Sequence, residues 1–308
     1  MDETVLGFDI GGTKVAAVVG NSAGTLVEEI SVPSPKGGEF ADTWELICRL
    51  GDELLARHSQ PDAVSVSIGG PLDADAGVIY SPPNLSGWEA VPLRRLLEKR
   101  FGRPTYIEHD AKAGVLAEWL FGAGRGHDNL VFLTLGTGLG AGVIVDGHLC
   151  RGHRDNAGEV GHWRMAYEGP LAYGKTGSWE AFCSGSGIAN LARYMYPNYW
   201  PKDVTASEVT RLARQGDDTA NKVIDASAEM LGRGIAYVVD LLSPELVVLG
   251  SLAVRAGDLL IPGAQRIVDA ECTARNLPCP IVPAFLKERL GSVSALCAAI
   301  YRRKLIRG

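Results

Sequence analysis

The sequence contains no apolar run of the roughly 18–20 residues that a membrane-spanning helix needs, so no membrane partner is expected. Its opening, MDETVLGFDIGG, has acids and no basic cluster ahead of an apolar stretch, and no signal peptide is expected. No CxxC pair occurs among the six cysteines, which are scattered at positions 48, 150, 183, 272, 279 and 297. In a chain of this length that pattern predicts reduced thiols and a cytoplasmic location. There is no excess of base either. Thirty Lys and Arg stand against 36 Asp and Glu, a net charge of −6, whereas a nucleic-acid binder is usually basic. The 38 glycines and 16 prolines follow no collagen-like period, and 46% hydrophobic residues is too many for a disordered chain. What is left is a globular chain of 308 residues, for which two domains are the natural expectation. An anionic ligand stays open, because backbone N–H groups and helix N-termini bind phosphate whatever the net charge.

Apolar patterning predicts three strands at once, over residues 4–10, 15–20 and 25–31, with Gly11-Gly12 turning the first into the second. A Pro/Gly loop is expected over 32–38. Leu46, Ile47, Leu50 and Leu54 keep the spacing of one helical face and predict a helix over 40–59. Strands are predicted at 62–67, 78–80 and 104–108, and helices over 92–101 and from Asp110 onward. The pattern then restarts. Residues 129–135 form a strand, Gly136-Thr137-Gly138 a glycine turn and 140–146 a second strand. The stretches 5–20 and 131–147 are alike in running strand, Gly-Thr turn, strand, which suggests two lobes of similar architecture. Residues 151–185 resist assignment. From 205 the chain reads as helical, broken by strands at 245–249 and 281–284. Strands mixed with helices throughout argue an α/β class.

Asp9 ends the first apolar strand and leads into Gly11, Gly12, Thr13 and Lys14. Small residues let backbone approach a phosphate, Thr13 can donate a hydroxyl proton and Lys14 adds charge. An aspartate at that strand end can hold Mg²⁺, directly or through water. The same residues also suit a plain hairpin with a solvated lysine. A strand follows the glycines where a P-loop or dinucleotide fingerprint would have a helix. Gly136, Thr137 and Gly138 offer a second turn of the kind, and two such turns facing each other would clamp a polyphosphate. Asp110 begins a helix, where a cap alone would justify it at about 1 kcal/mol. It would also serve as a general base toward a hydroxyl attacking phosphorus. Glu159, His162 and Glu180 suit a polyhydroxylated ligand, since each takes or gives hydrogen bonds to paired hydroxyls. His162 beside Trp163 reads equally as a packed residue, and Asn84 in a Pro/Gly loop as a turn residue.

As a set, these residues resemble the ROK family of sugar kinases and related repressors, within the actin-like ATPase/sugar-kinase superfamily. The matching segments are FDIGGTK (8–14), GGPLDADAG (69–77), PPNLSGW (82–88), EHDAKAGVLAE (108–118), LGTGLGAG (135–142), AGEVGH (157–162), GSWE (177–180) and LSPELVVLGS (242–251), in the family's order. The resemblance implies a two-lobed α/β fold built from duplicated ribonuclease H-like domains. The first lobe is expected over 1–112 and the second over 113–308, with the last helix packing back on the first. It further implies that Asp9, Gly11, Gly12, Thr13 and Lys14 form one phosphate turn, with Asp9 reaching Mg²⁺ through water. Gly136, Thr137 and Gly138 would form the other, and Gly250 and Ser251 would lie near the adenosine. Gly70, Asn84, His109, Glu159, His162 and Glu180 would hold sugar hydroxyls, and Asp110 would be the catalytic base. A homodimer is common in the family.

The sequence departs from the family's pattern in three respects. Asn is common where His109 stands, which bears on epimer preference. A second glycine is usual where Ser251 stands. Many members carry C-x-C-G-x-x-G-C-x-E, whose thiolates join the EVGH histidine on a structural zinc. Here Leu171, Tyr173 and Ser178 occupy the cysteine positions, so no zinc is expected. The Glu180 loop would instead be held by packing of Tyr173 and Trp179. The resemblance points to an ATP-dependent hexose kinase, with glucose at its 6-hydroxyl as the default. N-acetylmannosamine, N-acetylglucosamine, fructose, mannose and allose are alternatives, as is polyphosphate in place of ATP. A sugar-responsive repressor is the rival, and the first phosphate turn begins too close to Met1 for a preceding helix-turn-helix domain.

Overall fold

The computed structural model describes residues 3–35, 39–83 and 85–307, with only the backbone of Arg307. The chain forms two compact units. The first takes Met1–Phe121, Arg151–Asn156 and Glu288–Gly308, and the second takes Gly122–Cys150 and Ala157–Lys287.

In the first unit β1 (Thr4–Ile10), β2 (Lys14–Asn21) and β3 (Leu26–Pro33) form a meander. α1 (Phe40–Leu55) leads to β4 (Ala63–Ile68), a small hairpin of β5 (Leu72–Asp73) and β6 (Val78–Ile79), α2 (Leu93–Phe101), β7 (Thr105–His109) and α3 (Asp110–Phe121). The main sheet has the order β3-β2-β1-β4-β7. β1 is antiparallel to β2 and parallel to β4, and β4 is parallel to β7. β4 is buried along its whole length, as a strand covered on both faces must be. β3 alternates partly buried and exposed residues, and so wets one face. The alternation in β1 sends Leu6, Phe8 and Ile10 to a core with Leu46, Ile47, Leu50 and Leu54 of α1. Each such apolar side chain contributes about 1.5–3 kcal/mol by burial. Val5 faces the other way, where it meets Ala295, Leu296 and Ala299 of the C-terminal helix Leu290–Arg307. Gly7 permits that approach, since a Cβ there would lie 2.8 Å from the carbonyl oxygen of Ala295.

The second unit repeats the plan. β8 (Leu130–Leu135), β9 (Leu139–Val145) and β10 (His148–Leu149) are followed by a small hairpin of β11 (Leu171–Ala172) and β12 (Lys175–Thr176). Then come α4 (Trp179–Cys183), α5 (Gly185–Met195), α6 (Ala206–Arg214), α7 (Asp218–Leu242), β13 (Leu246–Leu249), α8 (Leu252–Glu271) and β14 (Ile281–Pro283). The sheet order is β10-β9-β8-β13-β14, with β8 antiparallel to β9 and parallel to β13. Asp217 caps α7 by accepting from the Ala220 N–H at 2.7 Å. Trp179, Leu231, Ile235 and Leu249 anchor the core. Two sheets of identical order and sense in one chain are the duplicated α/β architecture of the actin-like ATPase/sugar-kinase fold.

Several expectations shift. β3 runs on to Pro33, because its alternating face still pairs with β2, and the expected loop begins later; residues 36–38 lie outside the described residues. α1 stops at Leu55, four residues short of the expected end. The sequence boundary at 112/113 would cut α3, whose hydrogen-bond ladder continues to Phe121, and the division falls after that residue. The stretch 151–185 resists sequence assignment because its elements are two-residue strands, single 3-10 turns and the five-residue α4, too short to show a period. All six cysteines are free thiols. Among the described residues no helix is long and apolar enough to cross a membrane.

Candidate active site

In the first unit, Asp9 sits one residue from the end of β1 and Lys14 opens β2. Gly11, Gly12 and Thr13 lie in the turn between, closed by the Gly11 N–H donating to the Lys14 carbonyl at 3.0 Å. Ser34 braces it from outside, its hydroxyl donating to the Gly11 carbonyl at 2.5 Å and its N–H to the Thr13 carbonyl at 3.1 Å. The Asp9 pKa is raised to about 6, chiefly by burial; Lys14, whose ammonium is 3.8 Å away, opposes the rise, and Asp110 and Glu29 add to it. Gly291, near the start of the C-terminal helix, leaves the space this carboxylate uses, since a Cβ there would stand 2.8 Å from its Oδ2. No sequence signal points to Gly291, which lies some 280 residues away along the chain.

His109 ends β7 and Asp110 begins α3. The Ala111 N–H is shared between Asp110 Oδ1 at 2.6 Å and His109 Nδ1 at 3.3 Å. Asp110 is therefore the first helical residue and does not make the side-chain bond to the third or fourth N–H that defines a cap. Its side chain is 52% exposed, with His109 Nδ1 3.2 Å from Oδ1. The His109 ring explains Gly70, where a Cβ would meet the ring carbon Cδ2 at 2.7 Å. Gly70 thus makes room for the imidazole, which is a reason for glycine independent of any ligand. Asn84 lies outside the described residues.

In the second unit, Gly136, Thr137 and Gly138 turn β8 into β9. The start of α5 braces this turn. The Gly185 N–H donates to the Gly136 carbonyl at 2.7 Å, and the Ser186 hydroxyl donates to the Thr137 carbonyl. Glu180, in α4, leans over the same turn, its Oε2 3.1 Å from where a Cβ on Gly138 would be. Its side chain is only 6% exposed. Burial raises its pKa, which His162 and the Leu139 N–H lower and Glu159 raises. Oε1 is buried without a hydrogen-bond partner among the described residues. His162 stands between two carboxylates, its Nδ1 3.8 Å from Glu180 Oε1 and its Nε2 3.9 Å from Glu159 Oε2. The imidazole is half exposed, so the packed reading of this histidine fails. A carboxylate, an imidazole and a second carboxylate, spaced too widely to satisfy one another, form a row of acceptors and donors suited to neighbouring hydroxyls.

The model of the family described as ROK matches residues 5–297. This chain belongs to the ROK family. It is 33% identical over 281 residues to a glucokinase of Thermotoga maritima, covering 86% of this chain and 87% of that protein. The crystal structure of a ROK hexokinase from Thermus thermophilus superposes with a TM-score of 0.82 at 32% identity, covering 98% of this chain and 99% of the other. A ROK family glucokinase from Streptomyces griseus, solved with glucose and AMPPNP, gives 0.80 at 29% identity over 95% and 98%.

Membership sharpens two of the departures. Ser251, where ROK members usually have glycine, has φ of +47°, in the left-handed region that glycine enters without strain. Gly250 beside it donates its N–H to the Leu133 carbonyl at 2.9 Å, which holds the β13–α8 junction against β8. Leu171, Tyr173 and Ser178, at the ROK cysteine positions, supply no thiolate. Protein contacts hold the Glu180 segment. Trp163 stacks on Trp179 at 5.6 Å and 9°, and the Trp179 N–H donates to the Trp163 carbonyl at 2.8 Å. Arg164 Nη1 donates to the Thr176 carbonyl at 2.8 Å, and Lys175 Nζ to the His162 carbonyl. Of the two aromatics expected to hold the loop, Trp179 does so. Tyr173 is 48% exposed, with its hydroxyl beside the Gly138 turn, because its tight hairpin turns the ring outward.

Proposed function

We propose that this ATP-dependent sugar kinase phosphorylates glucose at the 6-hydroxyl. The observation that carries the sugar assignment is Glu180. A carboxylate oxygen this deeply buried without a partner is costly, and the same side chain borders the Gly136–Gly138 turn. A polyol donor to Glu180 would complete the hydrogen bonding, with His162 and Glu159 taking adjacent hydroxyls. Gly70, Asn84 and His109 are assigned to the sugar on the family pattern.

Asp110 is the proposed general base. It takes the proton of the attacking hydroxyl as the new oxygen–phosphorus bond forms and the bond to the β-phosphate bridging oxygen breaks. It is half exposed, and among the described residues its short local bonds use only Oδ1, which leaves Oδ2 to do so. Gly11, Gly12, Thr13 and Lys14 would hold phosphate in the first unit. Gly136, Thr137 and Gly138 would do so in the second, with Gly250 and Ser251 toward the adenosine. Asp9 would hold a magnesium ion brought in with ATP, which when bound would supply neutralisation of charge on the phosphates. Asp9 fits that ion: a mostly buried carboxylate whose pKa is raised despite Lys14 gains from a further cation, and Mg²⁺ takes one or two carboxylates while keeping waters. Leu171, Tyr173 and Ser178 offer no thiolate where the family pattern has cysteines, and on that ground we assign no zinc to the Glu180 segment. A chelator that leaves the melting temperature unchanged is the expected result there.

A coupled ADP-release assay tests the whole reading with glucose, mannose, allose, fructose, N-acetylmannosamine and N-acetylglucosamine, each with ATP or polyphosphate. Glucose with ATP is expected to give the highest kcat/KM. A tenfold preference for an N-acetylated sugar would replace glucose and keep the kinase. No sugar-dependent ADP release would remove the kinase itself.

A further inference from the structure

We propose that Arg151 and Asp155 are positioning residues for the base Asp110, acting through the two side chains that bracket it in sequence. The inference rests on the assignment of Asp110 made above. Arg151–Asn156 is an excursion that joins the first unit from a chain otherwise belonging to the second. From it, Arg151 Nη2 pairs with Glu108 Oε2, and Nη1 donates to Asp155 Oδ1 at 3.0 Å. Asp155 Oδ2 accepts from the Ala74 N–H at 2.8 Å, and its main-chain carbonyl accepts from Lys112 Nζ. Glu108 stands two residues before Asp110, at the end of β7, and Lys112 two residues after it, in the first turn of α3. Each is 1% exposed. Glu108 Oε1 also accepts the N–H of His109 at 3.1 Å.

Among the described residues Asp110 makes only local bonds, so the direction of its carboxylate follows the backbone at the β7–α3 junction. That junction is pinned on both sides to one six-residue segment. The same segment holds Ala74, just beyond β5 and in the loop that follows Gly70. The cluster holds two acids and two bases, so it is formally neutral. Burial pushes Glu108 up and Arg151 and Lys112 pull it back, while for Asp155 the Ala74 N–H and Arg151 outweigh burial and lower its pKa. A buried glutamate and lysine paired with a partly buried arginine and aspartate need a reason beyond stability, since apolar replacements of buried ion pairs are often as stable or more so. Orientation supplies that reason: a misplacement of about 1 Å can lower a rate by about 10²-fold.

Steady-state kinetics of Arg151→Met, Arg151→Lys and Asp155→Asn test this, run well below each variant's melting temperature. Rates are corrected for the fraction of protein that binds a non-hydrolysable ATP analogue. Arg151→Met is expected to lose at least about tenfold in kcat, with the KM for ATP within twofold of the parent. Arg151→Lys is expected to recover part of the loss and Asp155→Asn to fall between. Parent-like kcat in Arg151→Met, or a loss that vanishes on correcting for the binding fraction, overturns the inference. If Arg151→Met does not fold, Asp155→Asn carries the test, and parent-like kcat there overturns it. Asp110→Asn separates the two ideas. Full activity in that variant withdraws the base, and this inference with it. Inactivity there beside a normal Arg151→Met withdraws the positioning alone.

Discussion

The two units repeat one sheet plan and differ at its turns. In each, a central strand pairs antiparallel with the strand after it and parallel with a later one, and the five strands follow the same order. Yet the residue one place from the end of that central strand is Asp9 in β1 and Thr134 in β8. The first turn carries Lys14 and is braced by Ser34 from the end of the meander. The second is uncharged and braced by Gly185 and Ser186 from a helix, with Glu180 leaning over it. A strand buried on both faces tolerates little besides apolar residues, so the sheets stay alike. The turns are free of that demand and carry the difference. On the proposed reading, proton transfer and the cation belong to the first unit, and much of the sugar's grip to the second.

The widest test of that division is Asp110→Asn. It should lower kcat by about 10²–10⁴-fold, the range of a positioned base, while a calorimetric titration still finds sugar bound. In the other unit, Glu180→Ala should act mainly on sugar KM, raising it by about 10–100-fold through loss of a charged hydrogen-bond acceptor. If Glu180→Ala lowered kcat as far as Asp110→Asn does, the division of labour would be wrong. Next in size is a pair of turn variants. A Cβ at Gly11 meets nothing closer than 3.4 Å and one at Gly136 nothing closer than 3.8 Å. Gly11→Ala and Gly136→Ala should each raise the KM for ATP about tenfold by keeping phosphate off the backbone, with melting temperatures held within about 2 °C. A large thermal loss would mark the turn as structural.

The smallest effect concerns pH. Asp9 is raised by burial to about 6 in the folded chain. Between the ordinary carboxylate range and that value, the folded state keeps a proton that the unfolded chain has released. Its contribution to stability is therefore complete near pH ~4 and is lost as pH rises through about 6. Asp9→Asn should raise the melting temperature of the ligand-free protein by about 2–4 °C at pH 7.5, and by much less at pH 4. Thr134→Ala, at the matching place in the other unit, should show no such pH dependence.

Much of this was readable from the residues. Leu46, Ile47, Leu50 and Leu54 announce α1 by their spacing. The Asp9–Lys14 and Gly136–Gly138 turns stand out because glycine between apolar strands has few explanations. Asp110 and Glu180 were named as candidates, but Asp110 could not be told from a cap until the Ala111 N–H was seen to take its Oδ1. Gly70 looked like a ligand contact, and the His109 ring supplies another cause. Tyr173 looked like a packing residue and points outward, while Trp163 supplies the stack on Trp179. The last three depend on which side chains meet across loops, where no period exists to read.

The order of strands and helices, the family and the glycine turns were determined by the sequence itself, because local propensity and apolar periodicity act over a few residues at a time. The company each charged group keeps was decided only by the tertiary structure. Gly291 makes room for Asp9, Arg151 meets Glu108, and Glu180 comes to rest over Gly138 because burying the two cores brings distant segments together. Buried charges and carboxylates then take whatever partners that packing leaves within a few ångströms.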